Sequence, residues 1–197
     1  ELYVRVIPEG SEGQYGYGDS LQLFENEIKN PGFERDAAGT VPPTGWDDTQ
    51  ATAEVTDSTR HTGSKCVKLY GFTAEGFLLQ DGIAIKPGTF YEACAWIRTQ
   101  SSAISGVRFR IAKSGTWEDR FDSPDFTVGA DKWYRISWVF RYTAHSKIRF
   151  SIRVPKTSQE VYIDDVTVRP IYDVPLQIEP MSEGYHYMPT KHGMGLM

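Results

Sequence analysis

Two short acidic signatures, Asn30-Pro31-Gly32-Phe33-Glu34 and Val161-Tyr162-Ile163-Asp164-Asp165-Val166, stand about 130 residues apart. Carboxylates are hard oxygen donors, so acids from both ends of one folded unit offer ligands to a single cation. Arginine supplies a second kind of chemistry. Arg98, Arg108, Arg110, Arg149 and Arg153 lie in strand-like runs, and a guanidinium fork donates two parallel hydrogen bonds to a carboxylate or sulfate. Catalytic signatures are missing: there is no G-x-S-x-G, H-E-x-x-H, P-loop or C-x-x-C. His61, His145, His186 and His192 are dispersed, although 26 acids leave many candidate pairs for glycoside hydrolysis. Cys66 and Cys94 match no zinc spacing and are read as free and partly buried, with one bridge as the alternative in an oxidising compartment.

The elements that must position these residues read as strands. Expected strands are 53–57, 65–71, 77–85, 89–99, 107–113, 120–128, 133–142, 147–154 and 160–169, with shorter ones at 2–7 and 21–25. Turn chemistry separates them at Thr62-Gly63-Ser64, Lys86-Pro87-Gly88, Ser114-Gly115 and Gly129-Ala130-Asp131. Strand parity follows from keeping charge out of the core. Tyr91, Ala93, Ala95 and Ile97 oppose Glu92, Cys94, Trp96 and Arg98, and Val107, Phe109 and Ile111 oppose Arg108 and Arg110. Ile148, Phe150, Ile152 and Val154 oppose Arg149, Ser151 and Arg153, while Tyr134, Ile136, Trp138 and Phe140 oppose Arg135, Ser137 and Arg141. Val166 and Val168 share parity with Asp164, which places that carboxylate at a half-buried position in need of a partner. The pattern is that of an all-β sandwich.

Composition agrees. Aromatic residues make up 13% of the 197, and 18 Gly and 11 Pro supply turns. The net charge is −5, and residues 30–170 carry 17 acids and 18 bases, so no basic excess invites nucleic acid. No apolar run is long enough to span a membrane. Residues 1–20 read as an N-terminal strand and flexible connector, 21–170 as the sandwich, and 171–197 as a linker toward a neighbouring domain. A start at Glu1 suggests a fragment or a processed product.

The run NPGFE (30–34), PPTGW (42–46), DSTRHTGS (57–64), Gln80 in FLLQ, KPGTFYEACAWIR (86–98), Trp133 and VYIDDVTV (161–168) together resemble carbohydrate-binding modules of families four, nine, sixteen and twenty-two. The likeness covers roughly residues 21–170. It implies a β-jelly-roll of the galactose-binding-like type and a structural calcium ion where the N-terminal loop meets the last strand. The resemblance would have Glu34 give its carboxylate, Gly32 a carbonyl, Ser64 or Lys65 a further carbonyl, and Asp164 complete the set. The alternative makes Glu34 and Asp164 surface acids or turn caps.

The resemblance also implies a ligand on the concave sheet or across its edge loops. Sugar rings offer flat C–H faces rimmed by hydroxyls, which aromatic faces and forked polar groups match. The candidates are Trp96, Trp117 and Trp46, with Gln80 and Glu92 as polar contacts. Trp96 is alternatively covered by a loop, Trp46 is alternatively packing, and Trp133 and Trp138 are read as structural. The jelly-roll likeness would gather Arg98, Arg108, Arg110, Arg149 and Arg153 on one sheet, favouring an acidic polysaccharide. Alternatively Glu92, Asp119 and Asp122 neutralise them across strands. The expected function is a non-catalytic module that holds a covalently linked hydrolase or lyase to its polymer. The expected setting is a secreted or cell-surface bacterial protein, monomeric, with no nucleic-acid or membrane partner. The alternatives are a structural or adhesive sandwich and a jelly-roll lyase or hydrolase.

Overall fold

Alternating apolar and polar residues, punctuated by glycine turns, build two antiparallel sheets. The computed structural model describes residues 2–6 and 21–171, with side chains from Asn26 to Ile171. The expected connector at 7–20 and the linker from 172 onward lie outside the described residues. Strands β1 (Leu2–Val6) and β2 (Leu21–Glu25) pair with each other. The first larger sheet has the order β10 (Phe126–Val128), β8 (Ile104–Lys113), β12 (Lys147–Val154), β6 (Gly76–Ala84) and β3 (Asp47–Thr49), and β9 (Phe121–Asp122) also pairs with β8. The second runs β11 (Tyr134–Arg141), β7 (Phe90–Thr99), β13 (Val161–Ile171), β5 (Cys66–Tyr70) and β4 (Thr52–Thr56). No helix occurs among the described residues.

One core takes side chains from both larger sheets, so they pack as a sandwich. The expected parities hold on β7, β8, β11 and β12: Phe109, Ile111, Phe150 and Ile152 are fully buried, and Ile97 meets them from the other layer. Phe109 and Phe150 lie 5.5 Å apart between ring centres. Burying each such side chain contributes roughly 1.5–3 kcal/mol.

Three local features differ from the sequence reading. The strand expected at 120–128 is split into β9 and β10 around Ser123-Pro124, because proline has no N–H to donate to a ladder. The three-residue β3 was not anticipated at all. Most consequential, β13 carries a register break between Asp164 and Thr167, with Asp165 at φ 48°. This bulge inserts an extra residue and reverses parity. Asp164 therefore pairs with outward Trp96, not with the inward set of Val166 and Val168. It is nevertheless fully buried, because the turn after β4 folds across it.

Candidate functional site

The outer face of the first larger sheet is a grid fixed by strand register. Across its middle, Asp47 pairs with Leu79, Leu79 with Ser151, Ser151 with Arg110 and Arg110 with Asp122. In the adjacent row Thr49 pairs with Phe77, Phe77 with Arg153 and Arg153 with Arg108. Arg149 stands opposite Ala112. Arg108, Arg110, Arg149 and Arg153 thus share this face as parity required. Arg98 does not: it lies on β7 in the other sheet and donates from Nη1 to Thr59 Oγ1 at 3.0 Å. The jelly-roll likeness implies one sheet for all five arginines, but long-range pairing puts β7 in the other layer, and parity fixes only that Arg98 points outward.

Each arginine of the face has a carboxylate. Arg110 makes a two-pronged pair with Asp122, Nε to Oδ1 and Nη2 to Oδ2, each 2.5 Å. Arg149 donates to Asp81 at 2.7 Å, and Arg108 to Glu75 at 2.9 Å and Asp125 at 3.3 Å. Arg153 pairs with Glu75 and lies 3.6 Å from Asp122. Hydrogen bonding to Arg110 holds the Asp122 carboxyl below its usual value. For Asp81 burial pulls the other way, and the bonds from Arg149 and Ser114 outweigh it. Of the expected acid partners only Asp122 serves. Asp119 pairs with His145, and Glu92 sits on β7 between Arg135 and Arg169.

Trp117 rises over this grid from the loop between β8 and β9. Asp81 anchors that loop by accepting from Ser114 Oγ at 2.8 Å and from the Gly115 amide at 3.0 Å. The indole lies 5.7 Å from the Phe77 ring, with the Arg149 guanidinium 4.9 Å from its centre. It remains 39% exposed. A cleft of about 510 Å³ opens here, lined by Trp117, Phe77, Leu79, Arg110, Arg120, Arg149, Asp47 and Thr49. Phe77, Leu79, Asp47, Thr49 and Arg120 were missed from the sequence. Alternation of Phe77 and Leu79 with Leu78 and Gln80 was the available signal for the first two.

The remaining candidates are placed elsewhere. Trp46 is 3% exposed, packs against Phe33 and donates Nε1–H to the Asn30 carbonyl. Gln80 is buried, accepting from the Lys29 amide and donating to the Lys29 and Gly45 carbonyls. Both pin the N-terminal loop to the sandwich and present nothing to the cleft. Trp96 and Glu92 lie on β7, on the outer face of the opposite sheet. The Trp96 ring is stacked on His61 at 3.8 Å and 15°, and Trp133 meets the same imidazole edge-on. Cys66 and Cys94 are both free and buried.

The acidic signatures do meet. Glu34 accepts from Ser64 N at 2.7 Å, Ser64 Oγ at 2.5 Å and Lys65 N at 2.9 Å. Asp164 accepts from the amides of His61 at 2.8 Å, Thr62 at 3.2 Å and Asp165. A Cβ on Gly32 would stand 3.8 Å from Glu34 Cγ and 3.9 Å from Asp164 Oδ1. Burial pushes the Asp164 carboxyl up to about 7, against the His61 amide bond and with the charge of Asp165 adding to the rise. Among the described residues no three His, Cys, Asp or Glu side chains converge as a metal cluster. Gly63 in this turn has φ 61°, and a Cβ there would collide with Glu34 Oε1. Gly63→Ala is expected to cost about 1–3 kcal/mol, read as a lower denaturant midpoint at unchanged slope. Gly115→Ala, at φ 79° with no neighbour within 4 Å, should cost less.

Comparison with known proteins bears on the whole unit. The chain is similar in structure to a family 61 carbohydrate-binding module solved in complex with β-1,4-galactotriose, at 16% identity, TM-score 0.58, and coverage of 75% of this chain and 99% of that one. It is likewise similar to a xylan-binding domain from Paenibacillus barcinonensis, at 13% identity and TM-score 0.56, covering 69% and 97% of the two chains. A family 22 module from Clostridium thermocellum matches at 16% identity and TM-score 0.55, over 71% and 90%. These likenesses establish the jelly-roll fold. No curated protein sequence matches. The sequence family described as carbohydrate binding domain matches residues 25–159, a segment that holds the first acidic loop, the arginine grid and Trp117 and ends just before β13, and the chain belongs to that carbohydrate-binding family.

Proposed function

We propose that this module binds a polysaccharide along the outer face of the sheet containing β8, β12 and β6, with Trp117 as the ring on which a sugar stacks. The observation that carries this reading is the indole itself: 39% exposed, held over a cleft of about 510 Å³ with Phe77 and Leu79 beneath. Sites that pair an apolar aromatic surface with a few fixed polar groups are the usual form for small saccharide units. The opposite face is a weaker candidate, since Trp96 is occupied by His61. In this reading the module is non-catalytic, monomeric and secreted by a bacterium. It holds a linked polysaccharide-degrading domain near its polymer and raises the local concentration.

A calcium tie between the first loop and β13 belongs to the same proposal. Glu34 and Asp164 would give carboxylates, Gly32 a carbonyl, and Ser64 or Lys65 another. The donor set is all oxygen, as a hard cation requires. Support comes from Asp164, whose hydrogen-bond partners among the described residues are all backbone amides despite complete burial. When bound, the ion supplies charge for that carboxylate, and its role is structural.

The test is affinity electrophoresis of the 197-residue chain in gels containing β-1,4-galactan, xylan, mixed-linkage β-glucan, galactomannan or polygalacturonate, with reducing ends assayed in parallel. Retardation by at least one polymer without new reducing ends is expected. No retardation by any, or release of reducing ends, contradicts the reading.

A further inference from the structure

The charged side chains of the cleft divide into two sets. Arg110 and Arg149 are engaged by Asp122 and Asp81, and the flanking Arg108 and Arg153 by Glu75, Asp122 and Asp125. Four guanidiniums thus face four carboxylates, and little net field remains to draw a polyanion. Arg110 is forked onto Asp122, and the Nε groups left without a partner on Arg108, Arg149 and Arg153 are buried, so they are not presented to an acid in the cleft.

Asp47 and Arg120 lie outside this network. Both are exposed and both line the cleft. Neither makes a hydrogen bond or an ion pair with a side chain among the described residues, although the charge of Arg120 helps keep Asp122 ionised. They come from opposite ends of the sheet. Asp47 is on the edge strand β3, while Arg120 directly precedes β9 on the far side of β8. A carboxylate only accepts and a guanidinium only donates, whereas a sugar hydroxyl does both.

We infer that Asp47 and Arg120 are the specificity-determining residues of this cleft: they select an uncharged, hydroxyl-bearing sugar unit stacked on Trp117, and Asp47 rejects uronate and sulfate. This rests on the glycan-binding reading above. A carboxylate on the ligand would have to lie beside that of Asp47, and like charges at close range in a partly desolvated cleft are strongly disfavoured.

The experiment uses the same gels with Trp117→Ala, Asp47→Ala, Asp47→Asn and Arg120→Ala, each checked for an unchanged unfolding midpoint. The parent is expected to be retarded by a neutral polymer, with little dependence on salt, and not by polygalacturonate. Asp47→Ala and Arg120→Ala should each weaken retardation by that neutral polymer about tenfold, and Asp47→Asn should bring in measurable retardation by polygalacturonate. The inference is overturned if the parent prefers polygalacturonate. It also fails if Trp117→Ala loses binding while the Asp47 and Arg120 variants behave as the parent, a result that leaves the glycan-binding reading intact. Parent chain that is retarded by none of the polymers overturns both.

Discussion

Trp117→Ala is expected to weaken polysaccharide binding about thirtyfold or more while leaving the fold in place. The indole is the one tryptophan of the cleft, and truncating a central aromatic anchor typically costs about 2 kcal/mol or more, which is about thirtyfold in affinity. Its 39% exposure means that no core cavity follows. The structural losses are the contact with Phe77 and the Arg149 guanidinium over the ring, the latter about 0.5–1 kcal/mol at an exposed site. Trp117→Phe should retain an intermediate affinity, since a smaller ring keeps part of the stacking area. Titration calorimetry with the best polymer of the panel measures both. Parental affinity in Trp117→Ala would move the binding surface elsewhere.

The second large effect is on stability and centres on Asp164. Asp164→Ala leaves the part-buried amides of His61 and Asp165, and that of exposed Thr62, without their acceptor, and each donor that water does not reach costs about 1–3 kcal/mol. A total loss of about 3 kcal/mol or more is expected, with or without metal. Calcium enters through pH. Without a metal, burial pushes the folded-state value of Asp164 up to about 7 from an ordinary 3.8. The unfolded chain therefore loses this proton first, and stability falls as pH rises from about 4 to about 7. Glu34, Asp81, Glu92 and Asp122 are shifted downward from 4.5 or 3.8. Their contributions disappear only as pH drops below about 4.5, so the two effects separate. A calcium ion bound as proposed would favour the ionised Asp164, so the gap between melting temperatures in calcium and in chelator should widen from pH 5 to pH 8. Identical melting in both at pH 8 would remove the metal and leave Asp164 as an amide cap.

How much of this was legible in the residues depended on how local the deciding physics was. The parities of β7, β8, β11 and β12 follow from alternation alone, and Phe109, Phe150 and Ile152 are buried as that alternation requires. Trp117 was visible as a large ring beside Ser114-Gly115, a turn too polar to bury it. For Trp46 the sequence left packing and binding open, and Gln80 read as a polar contact, because their partners Phe33, Lys29 and Gly45 come from a loop whose path no periodicity describes. Arg98 was placed with the other arginines because which strand joins which sheet is settled by long-range pairing. Asp47 escaped notice since β3 has three residues, too few for a pattern. The bulge at Asp165 reversed the parity of Asp164, and a single inserted residue leaves no mark in the sequence.

The most direct test is an amide chemical-shift titration of the isotopically labelled chain with an oligosaccharide of whichever polymer binds best. Perturbations concentrated at Phe77, Leu79, Asp47, Arg110, Trp117 and Arg149, on the outer face of β3, β6, β8 and β12, are the expected result. Perturbations centred on Glu92, Trp96, Trp133 and Arg98 instead, with the cleft silent, would contradict the account.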